Sequence, residues 1–131
     1  QYALSKACAD YLAQQTDAKG RKLEVTLLPI PQEPVCITQA ECSELDLWDG
    51  EPTRTAGERL AASYVNFYIA NDSVLVPQFG DPMDKTACEI LSAQFPNRTI
   101  VPIAAREILL GGGNIHCITQ QIPLGRSSIY A

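Results

Sequence analysis

The chain has 131 residues, which bounds it to one compact domain or to a piece of a larger one. Hydrophobic residues make up 46% and charged residues 19% of the sequence, a composition typical of a folded globular chain and not of a disordered one. The formal net charge is −5, which disfavours DNA or RNA as a partner, because affinity for phosphate depends on Lys and Arg.

Two elements are predicted at the start of the chain. Apolar side chains recur at three- and four-residue steps over residues 3–15, which predicts an amphipathic helix, closed by Lys19-Gly20. Over residues 22–28 apolar and polar side chains alternate, which predicts a half-buried strand. Three prolines between residues 29 and 34 then end regular structure.

The segment 32–58 is acidic, contains prolines and lacks periodicity, so we predict a long surface loop. No basic residue lies between Lys22 and Arg54, and the acidic residues in this gap are Glu24, Glu33, Glu41, Glu44, Asp46, Asp49 and Glu51. Such a charge distribution is typical of a solvated loop, and it could also favour the approach of a cationic substrate.

The second half of the chain is predicted to begin with a hairpin. Residues 64–70 and 73–79 are rich in β-branched and aromatic residues, and the pair Asn71-Asp72 between them tolerates a tight turn. Further elements are a helix from Asp81-Pro82 to about Gln94, a strand over 99–102, a helical turn over 104–110, and a strand over 114–121 that ends at Pro123.

Five cysteines, at positions 8, 36, 42, 88 and 117, are scattered and odd in number, which favours reduced thiols over a disulfide framework. Their spacing and the single histidine do not suit a structural metal site. No apolar run approaches the roughly 20 residues of a membrane helix. The N-terminus has neither a signal-peptide layout nor a Met, so we expect a cytoplasmic piece of a longer protein without a membrane partner.

The most informative stretch is LLGGGNIHCITQQIP, residues 109–123. Glycines adopt positive φ and let a flat ligand lie against backbone carbonyls, and a guanidinium is flat with up to five N–H donors. The alternative is a flexible turn before a buried strand.

Cys117 follows this turn and is either a reactive thiol, with its side chain toward a cleft or an open face, or a small buried hydrophobe. In a regular strand, neighbouring side chains point to opposite faces, so His116 is not expected to activate Cys117 and is interpreted as a structural hydrogen-bonding residue. The residues by themselves give a candidate thiol, a glycine-rich approach and no visible base.

GGGNIHCITQQIP resembles the C-terminal signature of the agmatine deiminases, which belong to the guanidine-modifying pentein superfamily and are related to bacterial-type peptidyl-arginine deiminases. The resemblance extends upstream through RLAASYVNFYIANDSVLVPQFGDPMDKTACEIL and NRTIVPIAAREILLGGG, and covers about residues 54–123. One departure is Ile122, where the family often has Gln.

The resemblance implies an α/β fold, namely a pentein α/β propeller of ββαβ-type blades around a central site, of which this C-terminal portion holds about two blades. Residues 1–53 are then the end of one blade plus the acidic loop, and residues 54–131 are the last blade with the nucleophile strand.

The resemblance also implies the reaction, in which agmatine is hydrolysed to N-carbamoylputrescine and ammonia on the way to putrescine. Cys117 is then the nucleophile, which forms a covalent amidino-cysteine intermediate, and the backbone of Gly112 and Gly113 contacts the substrate. Asn66 and Arg106 are expected to be structural, and no metal or organic cofactor is implied. The histidine and carboxylates that the reaction needs match no position here, so the isolated chain is expected to be inactive.

Two alternatives stay open. One is a peptidyl-arginine deiminase, which shares the superfamily and the cysteine chemistry, and the other is an inactive fragment or subunit. Either the N-terminal remainder of the parent chain or a second copy is the expected macromolecular partner, because exposed blade edges favour association.

Overall fold

The computed structural model describes residues 2–46, 48–50 and 53–122. Its elements are the helices α1 (Tyr2–Leu12), α2 (Gln39–Glu44), α3 (Met83–Gln94) and α4 (Arg106–Leu110), the strands β1 (Tyr68–Ile69), β2 (Ser73–Gln78) and β3 (Thr99–Ala104), and two 3₁₀ helices, Tyr64–Asn66 and His116–Ile118. The mixed α/β class expected from the sequence is confirmed. None of the described helices is long and apolar enough to cross a membrane.

The strands form one sheet in the order β1-β2-β3. Strand β1 runs antiparallel to β2, with Tyr68 opposite Leu75, and β2 runs parallel to β3, with Ser73 opposite Thr99. Parallel neighbours need a crossover connection, and α3 supplies it. The predicted strand–strand–helix–strand order is therefore confirmed from the hairpin to β3.

The predicted hairpin is present, but its first arm is shorter than expected. Only Tyr68 and Ile69 pair with β2, and residues 64–66 form a 3₁₀ helix instead. The predictions for α3 and α4 are confirmed, and β3 is longer than predicted, since it continues to Ala104.

Buried apolar residues form two clusters. Val74 and Val76 of β2 and Leu91 of α3 form the first cluster, and all three are at most 3% exposed. The second joins Ile37, Leu60 and Leu109, which come from three distant parts of the chain. This second cluster packs the segment before α2 against α4.

The N-terminal helix ends earlier than predicted, at Leu12, and Lys19-Gly20 does not close it. Gly20 belongs instead to a separate turn, in which its N–H donates to the carbonyl of Asp17 at 2.9 Å and its φ is +75°. The Asp17 carboxylate accepts from the N–H groups of Lys19 and Arg21. Gly20 therefore lies in a turn that the Asp17 side chain caps. Hydrophobic periodicity does not detect a turn of this kind.

The predicted strand over residues 22–28 is wrong. An isolated bridge between Thr16 and Lys22 is the pairing present there, and Leu27 is 70% exposed. Alternation predicts a strand only where a neighbouring strand can pair with it, and no described strand lies beside this segment. The segment instead borders a groove against α1, and α1 itself has no buried residue.

The predicted loop over residues 32–58 is irregular for most of its described length but contains α2. A capping box starts this helix: the Thr38 hydroxyl accepts from the N–H of Glu41 at 3.2 Å, and the Glu41 carboxylate accepts from the N–H of Thr38 at 2.7 Å. Ile37, directly before it, is 1% exposed. The loop is therefore anchored in the structure and is not simply solvated.

The predicted strand over residues 114–121 is also wrong. His116–Ile118 form a 3₁₀ helix, and Ile115 before it has helical angles, with φ −49° and ψ −51°. The predicted end of that strand, Pro123, lies outside the described residues. The argument that His116 and Cys117 point to opposite faces of a strand is overturned with it.

An ion pair fastens α4 to α2. The Arg106 guanidinium donates to both oxygens of the Glu41 carboxylate, at 2.6 and 2.8 Å, and to the carbonyl of Cys36 at 3.0 Å. Hydrogen bonds from Arg106, and then from Thr38, hold the pKa of Glu41 down at about 2. The structural role expected for Arg106 agrees with these contacts.

This pair predicts a pH dependence of stability. A carboxyl whose folded pKa is depressed stabilises the fold above its ordinary pKa, here 4.5, and that contribution is lost as the pH falls toward about 2. We expect Glu41→Gln to flatten the decline of the free energy of unfolding between those two pH values, measured by urea denaturation. Glu44→Gln, in the same helix, is the control. An unchanged decline in the Glu41→Gln variant would contradict the assignment.

Candidate active site

Cys117 lies in the middle of the second 3₁₀ helix, and its side chain is exposed. Its backbone N–H donates to the carbonyl of Asn114 at 2.9 Å, and the N–H of Thr119 donates to the carbonyl of His116 at 3.1 Å. The expected exposure of Cys117 is therefore confirmed, and the alternative of a small buried hydrophobe is wrong. The thiol stands on a tight turn and not on a strand.

The buried Asn114 explains why this segment turns. Asn114 is 0% exposed, and its side-chain oxygen accepts from the N–H of Ile115 at 2.8 Å while its carbonyl accepts from the N–H of Cys117. Both N–H groups are thereby satisfied locally, and a strand would need them for a neighbouring strand. Among the described residues, the side-chain nitrogen of Asn114 has no hydrogen-bond partner.

The glycine run brings the chain from α4 to this turn. The N–H groups of Gly111 and Gly112 donate to the carbonyls of Ile108 and Leu109 and so end the helix. Gly112 has a φ of +94°, which residues with a side chain rarely adopt.

Gly113 is required for a different reason, because its φ is not positive. A Cβ added at Gly113 would lie 2.8 Å from the Cβ of Cys117, closer than two carbon atoms can approach without displacement. The sulfur of Cys117 would lie 3.5 Å from the same added atom. Gly113 therefore lets the backbone pass directly against the side chain of Cys117.

Asn66, at the end of the first 3₁₀ helix, reaches this turn from 51 residues away. Its side-chain oxygen accepts from the backbone N–H of His116 at 2.8 Å. Its side-chain nitrogen lies 3.4 Å from the sulfur of Cys117, to which it donates. One amide group therefore contacts both the backbone of the turn and the thiol.

The 3₁₀ helix that carries Asn66 is held by a buried tyrosine. Tyr64 is 0% exposed, and its hydroxyl donates to the carboxylate of Asp84 at 2.6 Å. The same carboxylate accepts from the N–H groups of Phe79, Gly80 and Asp81. Burial, and then the hydrogen bond to Asp84, raises the pKa of Tyr64 far above its ordinary value, so this hydroxyl stays protonated as a donor.

The surroundings of Cys117 favour its ionised form. The hydrogen bond from the Asn66 side chain is the main cause that lowers the pKa of the Cys117 thiol, and the backbone of Asn114 contributes next. A thiolate is the form of cysteine that attacks carbon centres, so a lowered pKa increases the reactive fraction at neutral pH.

His116 contacts Asn66 and Tyr68 in this arrangement. Its backbone N–H donates to Asn66, and its ring centroid lies 6.5 Å from that of Tyr68 in an edge-to-face orientation. The argument from opposite strand faces no longer applies, and the interpretation of His116 as a structural hydrogen-bonding residue stays a prediction.

A cation lies beside the glycine turn. The Arg54 guanidinium is 3.3 Å from the position of a Cβ added at Gly112, and it pairs with the carboxylate of Glu58 at 3.1 Å. Within the described parts of the chain, no three His, Cys, Asp or Glu side chains come together in a way that could hold a metal ion.

Gly112, Gly113 and Cys117, the three site residues predicted from sequence, therefore lie in one short turn. Asn66 also contacts the thiol, although its expected role was only structural. It lies within the segment RLAASYVNFYIANDS, which resembles the agmatine deiminases, but nothing in the local pattern of that segment indicates a contact with residue 117.

The chain matches one protein-family model, that of the Porphyromonas-type peptidyl-arginine deiminases, over residues 1–123. It is 60% identical over 126 residues to a provisionally named agmatine deiminase of Latilactobacillus sakei, a match that covers 96% of this chain and 34% of the relative. It is 55% identical over 123 residues to another such protein, of Selenomonas ruminantium, covering 94% of this chain and 33% of the relative.

Among solved structures, the chain is similar to one described as the agmatine deiminase of Enterococcus faecalis catalysing its reaction. The TM-score is 0.83 at 42% sequence identity, and the match covers 90% of this chain and 32% of that structure. The chain thus spans about a third of the length of the relatives it matches.

The contact between Gly113 and Cys117 generates a test of the site. We expect Gly113→Ala to slow alkylation of Cys117 by iodoacetamide at least about fivefold, because overpacking displaces the thiol from Asn66. Gly111→Ala is the matched control, since a Cβ there meets only the carbonyl oxygen of Ile108 at 3.4 Å. The rate is followed by mass spectrometry of the peptide that contains Cys117. Equal rates in the two variants would contradict a role for the close approach.

Proposed function

The chain belongs to the family of Porphyromonas-type peptidyl-arginine deiminases, and we propose that it is the C-terminal part of an agmatine deiminase, with Cys117 as the nucleophile. The observation that carries the proposal is the environment of the thiol, which is exposed, follows a glycine-rich turn and accepts a hydrogen bond from Asn66. The choice of substrate is supported by the names of the relatives and by the Enterococcus faecalis structure.

In the proposed reaction, the Cys117 thiolate attacks the central carbon of the agmatine guanidinium, and a C–S bond forms. The C–N bond to one terminal nitrogen then breaks, and this nitrogen leaves as ammonia after it takes a proton from a general acid. The amidino-cysteine adduct that remains is attacked by water, which gives up a proton to the same group as the C–O bond forms. Cleavage of the C–S bond returns the thiolate and releases N-carbamoylputrescine, a step toward putrescine.

The acid–base group and the carboxylates that bind the cationic substrate are proposed to lie in the part of the enzyme that this chain does not span. His116 is the single histidine of the sequence; its backbone N–H donates to Asn66, and its ring centroid lies 6.5 Å from that of Tyr68. A guanidinium is a poor electrophile, so the reaction needs both kinds of group. This chain would then supply the nucleophile and the backbone around it.

The glycine turn is the proposed place where this chain contacts the substrate. Gly113 lies against Cys117, so a guanidinium carbon within reach of the sulfur would also lie close to the backbone of the turn. Gly112 has no side chain, and the Arg54 guanidinium borders it, 3.3 Å from where a Cβ would lie, so the ligand would approach from the side of Gly113 and Cys117. We propose that backbone carbonyls at Gly112 and Gly113 accept hydrogen bonds from it.

We also propose that the chain forms about two blades of a pentein propeller, with residues 1–53 in one blade and 54–131 in the last. The order β1, β2, α3, β3 supports this, since it makes one ββαβ unit within the second range. The apolar face of α1 supports the presence of a covering partner, because Leu4 and Tyr11 are 73% and 64% exposed. The remainder of the same enzyme is the proposed cover, and a second copy is the alternative.

A second candidate substrate is peptidyl-arginine, and the description of the matching family favours it. The cysteine chemistry is the same for both substrates, because each presents a guanidinium to the thiolate. Ammonia release by the whole enzyme from agmatine and from an arginine-containing peptide distinguishes them: turnover of agmatine alone supports the first proposal, and turnover of the peptide supports the second.

The nucleophile assignment predicts the effect of one substitution. In the whole enzyme, Cys117→Ser should reduce agmatine hydrolysis on the order of 10³-fold or more, because a serine hydroxyl is a poor nucleophile without a base to activate it. Cys8→Ser, on the exposed helix α1, is the control and should keep activity. Near-normal ammonia release by the Cys117→Ser enzyme would remove the assignment.

A further prediction concerns the 131-residue chain alone, which should release no measurable ammonia from agmatine. Acid–base assistance contributes about 10²–10⁴-fold to such reactions, and electrostatic positioning often contributes as much. The assay compares the purified chain with its Cys117→Ala variant. Turnover that disappears in the variant would show that the chain carries its own base and would contradict the proposal that the base lies elsewhere.

A further inference from the structure

The orientation of the Asn66 side chain is fixed by its two contacts. The backbone N–H of His116 can only donate, so the atom of the Asn66 amide that meets it at 2.8 Å must be the oxygen. The nitrogen of the amide is then the atom that faces the sulfur of Cys117, at 3.4 Å. The assignment of oxygen and nitrogen therefore does not depend on the sulfur contact itself.

This orientation distinguishes the two protonation states of Cys117. A thiolate can only accept, and the Asn66 nitrogen offers it a donor at 3.4 Å. A thiol can also donate, but the acceptor available on Asn66 is its oxygen, at the longer distance of 3.8 Å. The amide is therefore placed to stabilise the ionised sulfur more than the neutral one.

We propose that Asn66 is a further functional residue of this site, which donates a hydrogen bond to the Cys117 thiolate and holds it on the turn for attack. This role deepens the proposed function and rests on it, because it assumes that Cys117 is the nucleophile. A rigid donor is what the role requires, since a preorganised dipole need not reorient when the charge forms. The Tyr64–Asp84 hydrogen bond and the contact with the His116 backbone supply that rigidity.

The charged or titratable residues that the contacts above place near the turn are His116, Arg54 and Glu58. His116 is the neighbour on the turn itself, and Arg54 lies beside Gly112, where it is paired with Glu58. The substitutions tested below are at Asn66 and Asn97, so His116, Arg54 and Glu58 keep their side chains in every variant.

The Asn66→Asp variant removes the side-chain N–H donor of Asn66 and keeps its oxygen acceptor. An aspartate of the same shape keeps an oxygen for the N–H of His116, but it cannot donate to the sulfur and places a negative charge beside it. At neutral pH we expect alkylation of Cys117 by iodoacetamide to slow about tenfold or more, because a like charge disfavours the thiolate. At high pH, where the thiol is fully ionised in both proteins, the rate of the Asn66→Asp variant should match or exceed that of the unsubstituted enzyme, because a thiolate of higher pKa is the stronger nucleophile.

The experiment measures the rate of Cys117 alkylation against pH in the whole enzyme, by mass spectrometry of the peptide that contains Cys117. Asn97→Asp, on an exposed turn, controls for the added charge. We expect Asn66→Asp to shift the midpoint of the rate–pH profile to higher pH and Asn97→Asp to leave the midpoint unchanged. Asn66→Ala should also shift the midpoint to higher pH, but by a smaller amount, because it removes the donor without adding a charge.

Three outcomes would overturn the proposal: a profile that Asn66→Asp leaves in place, a rate that falls equally at every pH, or an equal shift in the Asn97→Asp control. An equal fall at every pH is what a purely structural role would produce. Alkylation requires no agmatine, so the pH profile can be measured whether or not the enzyme hydrolyses agmatine. If the enzyme fails to hydrolyse agmatine while the profile still shifts, the proposed substrate is wrong and the role of Asn66 toward the thiolate remains.

Discussion

The candidate site depends on one side-chain amide that joins two turns from distant parts of the chain. Asn66 donates to the sulfur of Cys117 and accepts from the backbone beside it, so the position of the thiol is tied to the first 3₁₀ helix. That helix in turn rests on Tyr64, which is buried and bonded to Asp84 at the start of α3. The hairpin and the β2–α3–β3 crossover therefore supply the frame on which the reactive group is held.

Cys117 is also positioned by α4 and by the glycines that follow this helix. Arg106 fastens α4 to the capped helix α2, and Leu109 packs into the cluster with Ile37 and Leu60. This packing anchors the acidic segment 32–58, which the sequence predicts to be a loop, to the part of the chain that carries Cys117. Gly113 then allows the backbone to pass so close to Cys117 that no side chain fits between them.

Much of the fold was predictable from the sequence, and the errors have physical causes. The hairpin, α3, β3 and α4 have strong local signals, namely turn residues, periodicity and breakers, and these predictions are confirmed. The strands predicted over 22–28 and 114–121 are wrong because alternation alone does not supply a partner strand. At residues 114–121, the buried Asn114 accepts hydrogen bonds from nearby backbone N–H groups, which a partner strand would otherwise need. A short pattern of polar and apolar residues does not show that an asparagine will be buried.

For the candidate site, the sequence predicted the turn and the thiol but not the partner of the thiol. Cys117 and its glycines are contiguous, so their proximity needs no tertiary information. The contact from Asn66 spans 51 positions and depends on how the first 3₁₀ helix packs, which local patterns cannot reveal. Asn66, to which the resemblance gave a structural role, therefore contacts the thiol of the candidate site.

Attack of Cys117 on the guanidinium carbon is tested by trapping the covalent intermediate. The whole enzyme is mixed with agmatine, quenched in acid during turnover and digested, and its cysteine peptides are weighed by mass spectrometry. We expect an adduct of agmatine less one ammonia on the peptide that contains Cys117. An adduct on a different cysteine, or steady ammonia release with unmodified Cys117 at every quench time and in rapid-quench single turnovers, would contradict it.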